Sequence, residues 1–229
     1  MDMKREAALK AVEQVADGML LGLGTGSTAA RFIDVLGERV QAGLHVTCIA
    51  TSVASELQAR SLGIPISDSA DLHLDLTVDG ADEVDPHLNL VKGLGGALLR
   101  EKVVAAASAR MLVIATEDKL VTRLGERSPL PVEVLPLLWR RTAEAIERLG
   151  LTAVLRPLPG SENPGSPPPF VTDNGNLIVD CNLGRQVDPE KLSAGLDAIP
   201  GVIGHGLFVH IASQAVIAGP GGVRLVNPV

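Results

Sequence analysis

The sequence predicts an α/β protein in which a parallel-sheet domain carries a small α+β domain. Three observations predict it. From the N-terminus to Thr116, apolar runs of strand length alternate with helix-periodic segments, the rhythm of a parallel sheet covered on both faces. Beyond Pro129 the order becomes β-α-β-β-α-β, the split βαβ pattern of a small sandwich. Finally, 46% of the 229 residues are apolar but only 2% aromatic, with no Tyr and one Trp, so the core must be Val, Leu, Ile and Ala, the usual filling of buried parallel strands.

The elements run in this order. MKREAALKAVEQVAD has helical periodicity and stops at Gly18; MLLGLG is a buried strand, and TAARFIDVLGERV a helix after a glycine turn. LHVTCIA is a strand, SVASELQARSL a helix ending at Gly63, IPIS a short strand, and LDLTVDGADE a strand running into carboxylates. GGALLREKVVAAASA is a helix and MLVIAT a strand. In the second part PVEVL, LTAVLRP, GNLIVDCNL and GVIGHGLF read as strands, PLLWRRTAEAIERLG and DPEKLSAGLDAI as helices. The last residues, from Val209, form one or two strands that return to the first domain, giving expected domains of 1–128 with 209–229, and 129–208. The Pro/Gly/Ser-rich insertion at 157–169 reads as a mobile surface loop.

Composition narrows the function. A net charge of -7 disfavours nucleic acid and anionic membrane as partners, while a small anion needs only a local positive site. No uninterrupted apolar stretch is long enough to span a bilayer, and no secretory h-region is expected at the N-terminus. Cys48 and Cys181 lack CxxC spacing and sit in apolar runs, as core thiols of a reducing cytoplasm do. His45, His73, His87, His205 and His210 show no ligand spacing, so no metal is expected, and no GxSxG elbow is present. TDNGN carries Asn174-Gly175, a type I′ hairpin signal.

Four strand ends carry chemistry. GLGTGSTAARF places a glycine turn before a helix, where free N–H groups and the positive dipole end face an anion, with Ser27 and Thr28 adding hydroxyls. An unliganded, hydroxyl-capped turn is the competing reading. No Lys follows Gly26, against a P-loop; CIATS ends without the acid that a dinucleotide ribose requires, against a nucleotide-dependent oxidoreductase. A lone phosphate gains weight. VDGADEVD brings Asp79, Asp82, Glu83 and Asp85 to the carboxyl edge of the sheet, with a solvated acidic turn and a Mg²⁺ site as alternatives. VKGLGGALLREK sets Lys92 before a second glycine turn, with Glu101 in an apolar helix, where burial without a task is costly and an exposed charged face is the alternative. Lys119 follows MLVIAT. One crevice explains all four; otherwise they are separate coincidences.

Together GLGTGSTA, TS at 51–52, VDGADE, KGLGGALLREK, LPVEV, TDNGN and PGVIGHGLF, in this order along nearly the whole chain, resemble the ribose-5-phosphate isomerase A family. The resemblance implies a Rossmann-like domain with a ferredoxin-like lid, assembly as a homodimer or homotetramer, and a cytoplasmic enzyme of the pentose phosphate pathway that needs no metal or cofactor. It implies Glu101 as catalytic base and substrate contacts at Thr25, Gly26, Ser27, Thr28, Asp79, Gly80, Ala81, Asp82, Lys92, Gly93, Leu94, Gly95 and Lys119. Aldose–ketose chemistry through a cis-enediolate would use Asp79 and Asp82 for the oxygen protons or ring opening, and Lys92 for the developing charge. The family's N-terminal phosphate-contacting lysine falls at Lys4, beside Arg5. A sugar-phosphate-sensing regulator, a related amino-sugar-phosphate deaminase and a CoA transferase are the competing readings; the DGADE and REK pair favours the isomerase.

Overall fold

Helix α1 (Met3–Val12) begins where the Asp2 carboxylate accepts the Arg5 N–H, and it buries Ala7, Ala8, Ala11 and Val12. The expected helix ran on to Asp17. In the computed structural model, which describes residues 2–160, 167–184 and 188–228, the chain instead turns after Val12 so that Gly18 N–H reaches the His45 carbonyl and Asp17 accepts the His45 N–H. The tip of the Pro-rich insertion, 161–166, lies outside the described residues.

The first sheet is built from β1 (Leu20–Leu23), β2 (Thr47–Ala50), β3 (Leu76–Asp79), β6 (Met111–Thr116), β12 (Gln214–Gly219) and β13 (Gly222–Val226), the strands between them in the chain belonging to two further sheets. Its order is β13-β12-β6-β3-β1-β2, parallel throughout except for β13, which pairs antiparallel with β12 at the edge. Helices α2 (Ser27–Gln41) and α3 (Val53–Ser61) connect the first strands, and α2 buries Phe32, Ile33, Val35 and Leu36 in one core with α1. Helix α4 (Leu98–Ala106) sends Ala105 into a second core with Met111, Val113 and Ile217. These strands are apolar on both faces, as a doubly covered parallel sheet requires. IPIS makes only a single bridge, Cys48 to Ile66; Pro65 has no N–H to extend a ladder.

The second part forms a four-stranded antiparallel sheet of β7 (Leu130–Val134), β8 (Thr152–Leu155), β9 (Leu177–Asn182) and β10 (Val202–His205), in the order β10-β7-β9-β8. Helices α5 (Trp139–Glu147) and α6 (Pro189–Asp197) bury Ile146, Leu192 and Leu196 against it. This is the ferredoxin-like arrangement of a β-α-β-β-α-β chain. Both cysteines are core residues, their thiols pushed up to about 12 by burial.

Two further features differ from the sequence-based expectation. GVIGHGLF is not one strand. At Gly206, whose N–H donates to the Pro131 carbonyl, the chain leaves the second sheet; β11 (Leu207–Phe208) then joins β5 (Leu90–Val91) and β4 (Glu83–Val84) in a three-stranded sheet between the two. Nor is Asn174-Gly175 a type I′ turn, which needs positive φ at both central residues. Only Gly175 has it (φ +79°), and its N–H donates to the Thr172 carbonyl, a type I turn followed by a left-handed glycine. The tertiary reason is Glu133. Fully buried, it accepts hydrogen bonds at one oxygen from Thr172 Oγ1 (3.0 Å), Asn174 Nδ2 (3.0 Å) and Asn176 Nδ2 (2.9 Å), which dictates how the turn faces. Glu133→Ala strands three donors and is expected to cost about 3 kcal/mol of stability, read as a lower denaturation midpoint at unchanged slope. A shift below about 0.5 kcal/mol would remove Glu133 as the organiser of this turn.

Candidate active site

The site lies beyond the carboxyl ends of β1, β3 and β6, where a parallel sheet opens its ligand crevice. Strand β1 must pass very close to β3 here: a Cβ on Gly24 would sit 2.0 Å from Asp79 Oδ1 and 2.6 Å from its Cα. Gly26, at φ +101°, then turns the chain into α2 with no side chain capping the helix, so its first N–H groups are left for a ligand. Ser27 Oγ accepts from Lys4 Nζ at 2.8 Å, and Lys119 stands on the short turn after β6. The Thr25 hydroxyl turns the other way. It joins Thr51 (2.7 Å), Ser52 (2.8 Å) and Ser55 (3.2 Å), a hydroxyl cluster that pins the loop to the start of α3.

Opposite this anion seat lies a buried charge cluster. Lys92 comes directly after β5; its Nζ donates to the Gly80 carbonyl (2.7 Å) and stands 3.0 Å from Asp79 Oδ2 and 3.3 Å from Glu101 Oε1. The side chains of Lys92, Asp79 and Glu101 are 3%, 0% and 5% exposed. The Phe208 ring lies 5.5 Å from the ammonium. Asp79 Oδ1 also accepts the N–H groups of Gly80 (2.7 Å) and Thr25 (3.1 Å), while Oδ2 meets Lys92 as a charge contact rather than an aligned hydrogen bond. Glu101 Oε2 has no hydrogen-bond partner at all.

Burial opposes the Lys92 charge, but Asp79 and Glu101 outweigh it and hold the ammonium above the ordinary lysine range. Burial also raises the Asp79 carboxyl, with Lys92 and the two N–H groups pulling the other way. Glu101, raised first by burial and then by the Asp79 charge, and only partly relieved by Lys92, is pushed up to about 8. The arrangement offers one carboxylate a free oxygen and a proton affinity near neutrality, beside a permanent cation.

Of the expected site residues, Thr25, Gly26, Ser27, Thr28, Gly80, Ala81, Asp82, Lys92, Gly93, Gly95, Glu101 and Lys119 line a single crevice. Asp79 and Leu94 do not. Asp79 is sealed beneath the floor, and the Leu94 side chain points to solvent while its N–H donates to Asp82 Oδ2 at 2.9 Å. Glu83 and Asp85 serve the fold: Glu83 accepts N–H groups from Gly125, Arg127 and Ser128, and Asp85 those of His87 and Asn89. Lys4 joins the crevice; Arg5 pairs with Glu38 instead. Ser55 escaped the sequence reading, although its place one turn after the Thr51-Ser52 pair was a usable sign. Among the described residues no group of three His, Cys, Asp or Glu side chains could hold a metal ion, and no helix is long and apolar enough to cross a membrane.

Comparison with known proteins points to one family. The sequence model of the family described as Ribose 5-phosphate isomerase A (phosphoriboisomerase A) matches residues 47–222. The chain is 53% identical to ribose-5-phosphate isomerase A of Bradyrhizobium diazoefficiens, covering 98% of this chain and 95% of that one, and 50% identical to that of Gloeobacter violaceus, covering 99% and 96%. Among solved structures, ribose 5-phosphate isomerase A of Methanocaldococcus jannaschii superposes with a TM-score of 0.92 at 37% identity, covering 99% and 98% of the two chains. A D-ribose-5-phosphate isomerase in complex with phospho-erythronic acid gives 0.92 at 38% identity with the same coverage.

An anion seat made of a helix N-terminus and two lysines should bind inorganic phosphate and raise the melting temperature as phosphate is added. Lys119→Ala is expected to weaken that binding roughly tenfold, the worth of one charge-assisted hydrogen bond. Unchanged affinity would place the anion elsewhere.

Proposed function

This chain belongs to the ribose 5-phosphate isomerase A family, and from that membership and the crevice we infer that it interconverts D-ribose 5-phosphate and D-ribulose 5-phosphate, the aldose–ketose step of the non-oxidative pentose phosphate pathway. The observation that carries the reading is Glu101: a buried carboxylate at the crevice wall, with one oxygen beside Lys92 and the other without a partner.

In the proposed reaction the phosphate sits at the start of α2 with Lys4 and Lys119, and this remote grip aligns the reacting carbons. Glu101 Oε2 takes the proton from C2 of the open-chain aldose and returns it to C1, while a proton moves from O2 to O1. The intermediate is a cis-enediolate. Its oxygen charge is met by the Lys92 ammonium, held in place before the reaction begins. Asp82, on the crevice wall, is assigned the oxygen protons or the opening of the furanose ring. Asp79 was expected to share that work; buried under the floor, it is assigned instead to holding Lys92 and the Thr25 loop. The ligand of the 38% identical relative fits the same chemistry, since phospho-erythronic acid carries a phosphate and a carboxylate, the two charges of an enediolate sugar phosphate. No cofactor enters the scheme. Assembly as a homodimer or homotetramer and a cytoplasmic setting belong to the same proposal; Leu137 and Leu138 in the turn before α5, and Val154 on β8, leave apolar side chains exposed.

Proton–deuterium exchange at C1 and C2 of ribose 5-phosphate, measured in chelator without added nucleotide, tests the reaction, and no exchange would sink it. Glu101→Gln should cut kcat by about a thousandfold while retaining substrate binding; a variant within about tenfold of wild type would exclude Glu101 as base. The pH profile carries a sign. The base must be ionised, and Glu101 is protonated below about 8, so kcat/KM should climb as pH rises from 7 towards 9. A limb at the ordinary carboxylate range would contradict the buried cluster.

A further inference from the structure

Arg156, from the second domain, does not itself line the crevice, yet its guanidinium is hydrogen-bonded to the backbone of a residue that does. Residue 156 lies just past β8 and is 8% exposed. Nε and Nη2 donate to the two oxygens of Asp180 on β9, at 2.9 and 2.5 Å. Nη1 donates to the carbonyls of Gly93 and Leu94, both at 3.0 Å. Four hydrogen bonds thus leave one planar group, a pattern an ammonium cannot reproduce. The Phe170 ring covers the guanidinium at 5.8 Å and closes on the same turn, since a Cβ at Gly96 would lie 2.5 Å from it.

The carbonyl side of the turn is therefore held by the second domain. Its amide side holds Asp82: Leu94 N–H donates to Asp82 Oδ2 at 2.9 Å. Nothing else in this turn has a side chain that could fix it, because Gly93, Gly95 and Gly96 surround Leu94 and the Leu94 side chain is exposed. A glycine-rich turn left to itself samples many conformations. We propose that Arg156, locked by Asp180, is a positioning residue that sets the Gly93–Leu94 turn and through it the Asp82 carboxylate. This rests on the isomerase reading given above and adds to it a residue that acts from the other domain without meeting the substrate.

The test uses the full-length protein and a cycle of Arg156→Lys, Asp82→Asn and the double variant, with kcat, KM and melting temperature measured for each. Wild-type turnover of ribose 5-phosphate is the control for the isomerase reading itself; its absence would sink that reading, not this one. Arg156→Lys is expected to lower kcat by roughly tenfold to hundredfold, the cost of a misplaced catalytic group, with KM altered less than about threefold. Because Arg156 acts through Asp82, the double variant should be no slower than Asp82→Asn alone, within about twofold. Losses that multiply would overturn the proposal, as would a folded Arg156→Lys with kcat within about twofold of wild type. Should Arg156→Lys not fold, Asp180→Asn takes its place in the same cycle. It keeps the arginine and loses only part of the lock, and the same two outcomes decide.

Discussion

Two buried carboxylates, Asp79 and Glu101, that meet the buried ammonium of Lys92 at 3.0 and 3.3 Å govern this molecule. Ionised alone, any one of Asp79, Lys92 and Glu101 would be prohibitively costly to take out of water; together, with the Gly80 carbonyl and the N–H groups of Gly80 and Thr25, they compensate one another. The compensation is incomplete at one atom, Glu101 Oε2. Much local structure arises from keeping this cluster dry and close. Gly24 lets β1 pass over Asp79 without a side chain, and Phe208 lies against the Lys92 ammonium. Lys92 N–H is tied to the Gly206 carbonyl, at the very point where the chain passes from one sheet to the next.

That crossing makes the second domain part of the site. The small sheet of β4, β5 and β11 takes strands from both sides of it, and β5 leads straight into Lys92. The turn at 172–176, shaped by Glu133, reaches further. Asp173 accepts the Val53 N–H at the start of α3, next to the hydroxyl cluster that pins Thr25, and Asn174 accepts from Arg100, the neighbour of Glu101. The loop at the start of α2 and helix α4 are thus steadied from the same turn. The proposed reaction needs a base, a cation and a phosphate placed within tenths of an ångström, and such support serves it, because misplacement is costly in rate.

The parallel strands and their chemistry-bearing ends were legible because apolar runs of four to six residues give way abruptly to glycine, hydroxyl and charged residues at the strand ends. Thr25 to Thr28, Asp79 to Asp82 and Lys119 were read from strand ends, Lys92 from the glycine turn that follows it, and Glu101 from its place in an apolar helix together with the family resemblance. Two-residue strands such as Glu83–Val84 and Leu90–Val91 show no period and were invisible. The split of GVIGHGLF was hidden for a related reason: a strand that changes sheets keeps the same alternation on both sides of the break.

By itself, then, the sequence determined the α/β class, the change to an α+β unit near Pro129, the sheet edge where the crevice opens and the family to which these motifs belong. These are local properties, written in hydrophobic period, turn residues and strand ends. Only the tertiary structure decided that Asp79 lies beneath the floor while Asp82 stands on the wall, that Glu133 turns the Asn174-Gly175 loop away from type I′, and that Arg156 grips a turn more than sixty residues before it in the chain. The depth of a carboxylate and the partner of a guanidinium depend on groups brought together from distant segments, and neither composition nor spacing encodes that proximity.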